Sequence, residues 1–493
     1  MEIELNMAAL TLYPDDERLD GAERTVFHAY LLTSMVLFLL MMLAGVSMRM
    51  GQAGWLGLAP NRFYEVLSLH GAGMVGTASL ATTAIMWYFL RKYVRLHLWA
   101  FVLNYVLYVA GIAQIVLAVF LGGYAGAWTM LYPFPAQSMG QWGPFAAASF
   151  MLGYLTLGTG LLVFYLDCAA GIIGRYGNFT NSLGAIWFFG GEIDPSHPAT
   201  VIVSTAIIIA NFLGVLAGAI AVVLSLVNLY VPSIRFDPLV MKELIYWFGH
   251  MVANATILMG VIGCYELLPR YTGRPHVLHR GFIWAYSITC VSVIFVVPHH
   301  LFMDFAQPQW MTFLGQLLSW GEGFPVYFVT AYFVLSTIYR SGRPWAMPSI
   351  LIVLALFGWS AGVIPAILDG TIMVNRYMHN TMWVDGHFHF YLILGALPLI
   401  FATMYHVAQR RMRSAGIWAV DKVAVPLYLA GGLVFVLAFL GGGAHGVPRR
   451  YNVHDLAWLS WDRMGSVGAM LILLGFLYLA TSIILDLVQR PRP

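Results

Sequence analysis

Charge is what this sequence has least of. Only 10% of its 493 residues are Asp, Glu, Lys or Arg, against roughly 25% in a soluble protein. So few charges cannot cover the water-exposed surface of a chain this long, which excludes a soluble enzyme. The 60% hydrophobic content excludes a disordered chain. A net charge of +3 offers no extended basic surface for nucleic acid. Three cysteines, Cys168, Cys264 and Cys290, are too few for a disulfide framework or a thiolate metal cluster. What the chain has in quantity is long apolar runs, with a mean hydropathy of +0.77, and 15 histidines.

The runs are of helix length and lack the alternation of an outer-membrane barrel. They predict an all-α integral membrane protein, a bundle of twelve transmembrane helices at about 26–49, 62–90, 98–123, 144–169, 198–230, 238–268, 280–304, 310–339, 347–368, 380–408, 421–443 and 464–488. The first run follows the charged stretch Asp15 to Arg24 and lacks a small-residue cleavage site, so it reads as a retained span. No hydrophilic domain interrupts the series, and 1–493 reads as a single membrane domain. Arg18 and Arg24, then Arg91, Lys92 and Arg95, then Arg175, fall on the N-terminal side of the bundle. So do Arg270, Arg274 and Arg280, Arg340 and Arg343, Arg410, Arg411, Arg413 and Lys422, and finally Arg490 and Arg492. The positive-inside rule then predicts both termini in the cytoplasm.

On that topology His70, His250, His299, His300, His387 and His389 share one depth, near the outer face. A single intramembrane histidine is more often a hydrogen-bonded packing residue; six in one layer point to function. His387 and His389 face about 200° apart on a helix and so serve two different partners. Pro298 removes a helix hydrogen bond just before His299 and His300, which frees both imidazoles to reach one ion. His250 and Asn254, spaced i, i+4, share a face. Neutral imidazoles suit iron and copper. The remaining histidines, His28, His97, His197, His276, His279, His406, His445 and His454, read as loop or interface residues.

Five stretches carry a resemblance: Leu69-His70-Gly71, Trp247-Phe248-Gly249-His250, Pro298-His299-His300, the run from His379 to His389, and Gly446-Val447-Pro448-Arg449-Arg450-Tyr451. In this order, on twelve predicted spans, the sequence resembles catalytic subunit I of the haem–copper oxidase superfamily, and most closely its B-type branch. The resemblance implies that His70 and His389 hold a low-spin haem and that His387 is the axial ligand of a high-spin haem, both b-type. It implies that His250, His299 and His300 bind a non-haem metal, iron favoured over copper. Arg449 and Arg450 would pair with haem propionates; the plain alternative is a surface loop.

The sequence also departs from that family. Dioxygen-reducing members carry a redox-active tyrosine near the non-haem metal. At its A- and B-type position stands Asn254, and at its C-type position Val293. Nitric oxide reductases of the superfamily carry a carboxylate one turn after the first histidine ligand, and Asn254 offers a carbonyl oxygen there. The expected function is therefore reduction of nitric oxide to nitrous oxide, with dioxygen reduction to water as the alternative.

Tyr265 matches a B-type proton-channel tyrosine. Glu322, between Gly321 and Gly323, reads either as an intramembrane proton carrier or as a group bonded to a loosened helix. Asp385 reads as a proton acceptor near a propionate or as a cap of its helix. The absence of a CxxCH motif and of a binuclear-copper cluster means that electrons come from a partner, a smaller copper- or c-type-haem-containing subunit on the outer face. The resemblance puts the protein in a prokaryotic inner membrane as part of a respiratory chain.

Overall fold

The computed structural model describes residues 19–192, 194–412 and 419–488. Of the charged residues used above for orientation, Asp15, Arg18, Arg413, Arg490 and Arg492 lie outside the described residues, as do the side chains of Arg410 and Arg411. Twelve long helices dominate what is described. They are α1 (Gly21–Gln52), α2 (Pro60–Leu90), α3 (Leu98–Phe120), α4 (Pro144–Tyr176), α5 (Ala199–Tyr230) and α6 (Pro238–Thr272). There follow α7 (Arg280–Phe295), α8 (Gln309–Ile338), α9 (Met347–Asp369), α10 (Met382–Tyr391, a π turn Leu392–Ala396, then Leu397–Met412), α11 (Ala419–Ala444) and α12 (Leu459–Val488).

Local chemistry sets several of their starts. Asp20 and Glu23 form a reciprocal capping box at α1. At α6, Asp237 accepts from Leu239 N (2.8 Å) and Val240 N (3.0 Å) and Pro238 occupies the first position. Eleven of the twelve helices, with α7 counted through the turn to Leu301, are long and apolar enough to cross a membrane. The exception is α8, which has 30 residues but is diluted by Gln309, Gln316, Ser319 and Glu322; it packs against α7 and α9 within the bundle.

Three helices form the centre. In the most apolar window of α2, α6 and α10 the buried share is 83%, 78% and 89%, while in the other spans it does not exceed 61%. These three carry His70, His250, His387 and His389. Two breaks then shape the site. The regular part of α7 stops at Phe295, and Val297–Leu301, with Pro298 inside it, forms a 3-10 turn that presents His299 and His300. The spacing of Pro298 from the pair foretold that distortion; nothing in the sequence foretold the π turn of α10.

The loop after α11 is clamped to the start of α10. Met382 N donates to Val447 O (2.9 Å) and Arg449 N to Asn380 O (3.0 Å), around the bridge between Thr381 and Pro448. This brings Arg449 and Arg450 over the histidine layer.

Candidate metal centre

One cavity of about 580 Å³ runs through the bundle and is lined by all six histidines, Asn254, Glu322, Arg449 and Arg450. Its walls are otherwise mostly apolar, with Val75, Leu161, Ile257 and Val261 among them.

At one end are His70 and His389. His70 Nδ1 lies 2.7 Å from Met41 O, and His389 Nδ1 lies 2.6 Å from Asp385 O. A carbonyl only accepts, so each Nδ1 is the protonated nitrogen and each Nε2 keeps its lone pair for a metal. The His70 ring is pressed against α1, where a Cβ on Gly45 would stand 2.8 Å from His70 Cε1. Phe435 and Phe439 pack around the His389 ring at centroid distances of 5.2 and 5.4 Å.

At the other end are His250, His299 and His300, whose ligand atoms all lie within 4.8 Å of one another. His250 Nδ1 is 3.0 Å from His300 Nε2. Two nitrogens each 2.0–2.1 Å from one ion are themselves roughly 3 Å apart, so this spacing is that of neighbouring ligands. His299 Nδ1–H donates to the Ser319 hydroxyl, which in turn donates to Gly315 O (2.8 Å). That leaves His299 Nε2 unprotonated. Gly315 is required here, because a Cβ would stand 2.7 Å from His299 N.

His387 points away from His389 into the same cavity. Its Nδ1 lies 3.2 Å from Asp369 Oδ2, off line for a hydrogen bond.

The chain's relatives agree with this architecture. A family profile described as "Cytochrome C and Quinol oxidase polypeptide I" matches residues 25–477. The chain belongs to that family. It is therefore an oxidoreductase subunit of the haem–copper oxidase superfamily, whose members carry haems and a further metal centre. Cytochrome c oxidase subunit 1 of Cereibacter sphaeroides is 25% identical over 411 residues, covering 79% of this chain and 68% of the relative. The subunit 1 of Thermus thermophilus is 24% identical over 291 residues, covering 52% and 50%, so that match spans half the relative's length. A heme-copper terminal oxidase dimer solved by cryo-electron microscopy aligns with a TM-score of 0.79 at 20% identity, covering 96% of this chain and 86% of that one.

The residues of this oxidase-family chain fit the implied groups. Two imidazoles with free Nε2 atoms face an apolar cavity of suitable size for a flat macrocycle. The Arg450 guanidinium lies 4.8 Å over the Trp128 ring, and its Nε is buried without a hydrogen-bond partner. Such an orphaned donor matches a carboxylate, as a propionate would provide.

Other expected residues fall as follows. The Asn254 amide lies 3.0 Å from His250 Nε2, on the ring edge opposite the nitrogen that faces His300, and it donates to His250 O at 3.1 Å. Val293 is buried in a small apolar cluster with Ala210 and Met251. The Tyr265 hydroxyl lies 2.7 Å from Thr330 Oγ1 and 3.2 Å from the Tyr286 hydroxyl, and Thr330 lines the cavity. Glu322 Oε1 stands 3.2 Å from His250 Nε2, so its carboxylate meets the three-histidine cluster at His250. At the start of α10 the side-chain cap is Thr381, accepting from Trp383 N, while Asp385 lies in the first turn and lines the cavity.

One residue near the chemistry carries no obvious signal in the sequence. Tyr246 stacks on His300, with centroids 5.1 Å apart and planes at 11°. It precedes His250 by one turn, and that helical spacing was the available signal. His454 lies in the loop before α12, as expected, with its side chain buried and Nδ1 2.9 Å from both oxygens of Asp462, which also pairs with Arg49 at 2.9 Å.

Proposed function

We propose that this chain reduces nitric oxide to nitrous oxide: two nitric oxide molecules, two electrons and two protons give nitrous oxide and water. The observation that carries the reading is the amide of Asn254 in contact with His250, where oxidases of the superfamily have a phenol. An amide supplies no radical. Coupling two nitric oxide molecules needs none, whereas dioxygen cleavage draws on a further electron.

Two b-type haems would be held at His70/His389 and at His387, with a non-haem ion (iron before copper) at His250, His299 and His300, and they would supply the electrons and the metals at which substrate binds. The chain's own part is confinement. The cavity between His387 and the three-histidine cluster keeps both substrate molecules together, which removes much of the entropic barrier to their union. Apolar walls exclude water. Arg449 and Arg450 anchor anionic groups at the outer rim. Protons enter by the hydroxyl relay Tyr286–Tyr265–Thr330 and pass to Glu322 as carrier. Electrons come from a smaller copper- or c-type-haem subunit on the outer face of a prokaryotic inner membrane, with both termini cytoplasmic and 1–493 acting as one membrane domain.

Replacing Asn254 by Asp puts an anionic carboxylate where the neutral amide stands. The Asn254→Asp protein is expected to show a lowered non-haem metal potential and an altered nitrous oxide rate together. An unchanged potential and an unchanged rate would remove Asn254 from the site.

Dioxygen reduction is the second reading. It is favoured by the names of the cytochrome c oxidase relatives and by Tyr246, whose ring stacked on His300 offers a phenol from another direction. Tyr246→Phe separates the two. Nitrous oxide formation is expected to stay within about twofold of the wild type, while a collapse of steady-state oxygen uptake would favour the oxidase.

A further inference from the structure

We propose that His276 is the proton-entry residue of this chain: its imidazole takes protons from the face that carries the α6–α7 loop and passes them to the hydroxyls of Tyr265, Tyr286 and Thr330. The inference rests on the reading of those hydroxyls as a relay, and it adds where the relay is filled.

The relay has a floor of three rings. The Tyr265 hydroxyl meets both Thr330 Oγ1 and the Tyr286 hydroxyl. His276, in the loop between α6 and α7, packs against Tyr265 with ring centroids 5.3 Å apart, and against Phe282 and Phe333 at 4.9 Å each. Phe282 stands one turn before Tyr286 on α7, and Phe333 one turn after Thr330 on α8. Spacings of i, i+4 and i, i+3 keep each pair on one face of its helix. The loop closes on that same end of α8: Arg274 Nη1 donates to Ser336 O (3.0 Å) and Tyr339 O (2.6 Å), and Nη2 to Arg340 O (2.8 Å). The rings of His276, Phe282 and Phe333 therefore lie between the hydroxyls and the loop face. Two of the three are phenylalanines, which exchange no proton. The imidazole does.

The groups around His276 leave it that task. Glu266, next to Tyr265 in the chain, turns its carboxylate away to Lys92 (3.2 Å), Tyr93 (2.9 Å) and Thr200. His279 is exposed at the start of α7, where its Nδ1 accepts from Phe282 N at 3.3 Å. Arg274 is committed to the carbonyls that end α8. His276 itself is half-buried, so its ring reaches both the loop surface and the relay. Burial, and then the neighbouring His279, push its pKa down to about 4. At neutral pH the ring is therefore uncharged and offers one N–H and one lone pair. A proton accepted on one nitrogen lets the other release its own toward Tyr265, and the ring returns to the neutral form.

The test uses the full purified complex with its haems, reduced and then mixed with nitric oxide or dioxygen. Proton uptake is read with a pH-indicator dye and haem oxidation by absorbance. His276→Ala and His276→Phe are each expected to slow proton uptake about 10- to 100-fold, up to the lower end of the range for a positioned proton-transfer group, with unchanged haem spectra. Imidazole added to the buffer should restore uptake in His276→Ala, which leaves room for it, and not in His276→Phe, which fills the space. Lost packing alone would not be repaired by free imidazole. Should His276→Ala prove unfolded, His276→Phe keeps the aromatic floor, and its uptake rate decides. Wild-type uptake in either folded variant, or no rescue of folded His276→Ala by imidazole, would overturn the proposal. Thr330→Val is measured alongside: slow uptake there with fast uptake in His276→Phe would overturn the entry residue and leave the relay standing. Fast uptake in both would overturn the relay and the entry residue together.

Discussion

Replacement of His389 by alanine is expected to remove the low-spin haem spectrum and to lower turnover at least about 100-fold, while the high-spin haem persists. The reason is geometric. His389 Nε2 is kept free by the bond from Nδ1 to Asp385 O, and alanine would remove one of the two imidazoles that would hold the low-spin haem. Even removing an outer partner of a ligand costs 10- to 100-fold, so loss of the ligand itself costs more. Replacing His387 should do the converse, abolishing the high-spin signal and sparing the low-spin one, because the two side chains face opposite sides of α10. Optical spectra of the two reduced variants check this. Identical spectra would mean that the division of α10 between two partners is wrong.

The second large effect is at the non-haem cluster. His299→Ala should strip the third metal and reduce turnover by at least about 100-fold with both haem spectra intact. His299 donates Nδ1–H to Ser319, and its other nitrogen is one of the three that converge within 4.8 Å. Alanine removes that convergence, and two imidazoles alone are a weak site. Metal analysis per haem is the measurement; full metal occupancy in the variant would show that His299 is not a ligand.

Which of these features the sequence displays depends on whether they are properties of one helix or of two. The helices themselves, and the histidines on the three most buried of them, follow from long apolar runs and from the penalty on polar groups inside a bilayer. The broken end of α7 follows from Pro298, and the opposed directions of His387 and His389 from helical geometry alone. By contrast, the contact of Glu322 with His250 and the stacking of Tyr246 on His300 depend on how α6, α8 and the turn after α7 are rotated against each other. That rotation is fixed by close approaches such as Gly315 on the His299 backbone, which no single-helix periodicity encodes. Glu322 was therefore legible as an unusual buried acid, and its neighbour was not. Glu266 makes the same point. On α6 it is simply an acid beside Tyr265, but in the fold its carboxylate is bonded to Lys92 (3.2 Å) and Tyr93 (2.9 Å) in the turn after α2 and to Thr200 on α5. The Tyr246 stack bears directly on function, because it is the one phenol against the cluster among the described residues, and it reaches His300 and not the edge of His250 where Asn254 sits.

The most direct test of the central claim is the turnover of the fully reduced, purified complex offered nitric oxide and dioxygen in separate runs, with nitrous oxide and oxygen uptake quantified per haem. Rapid formation of one nitrous oxide for every two nitric oxide molecules consumed, with slow oxygen uptake, is expected. Fast four-electron reduction of dioxygen with negligible nitric oxide consumption would contradict it.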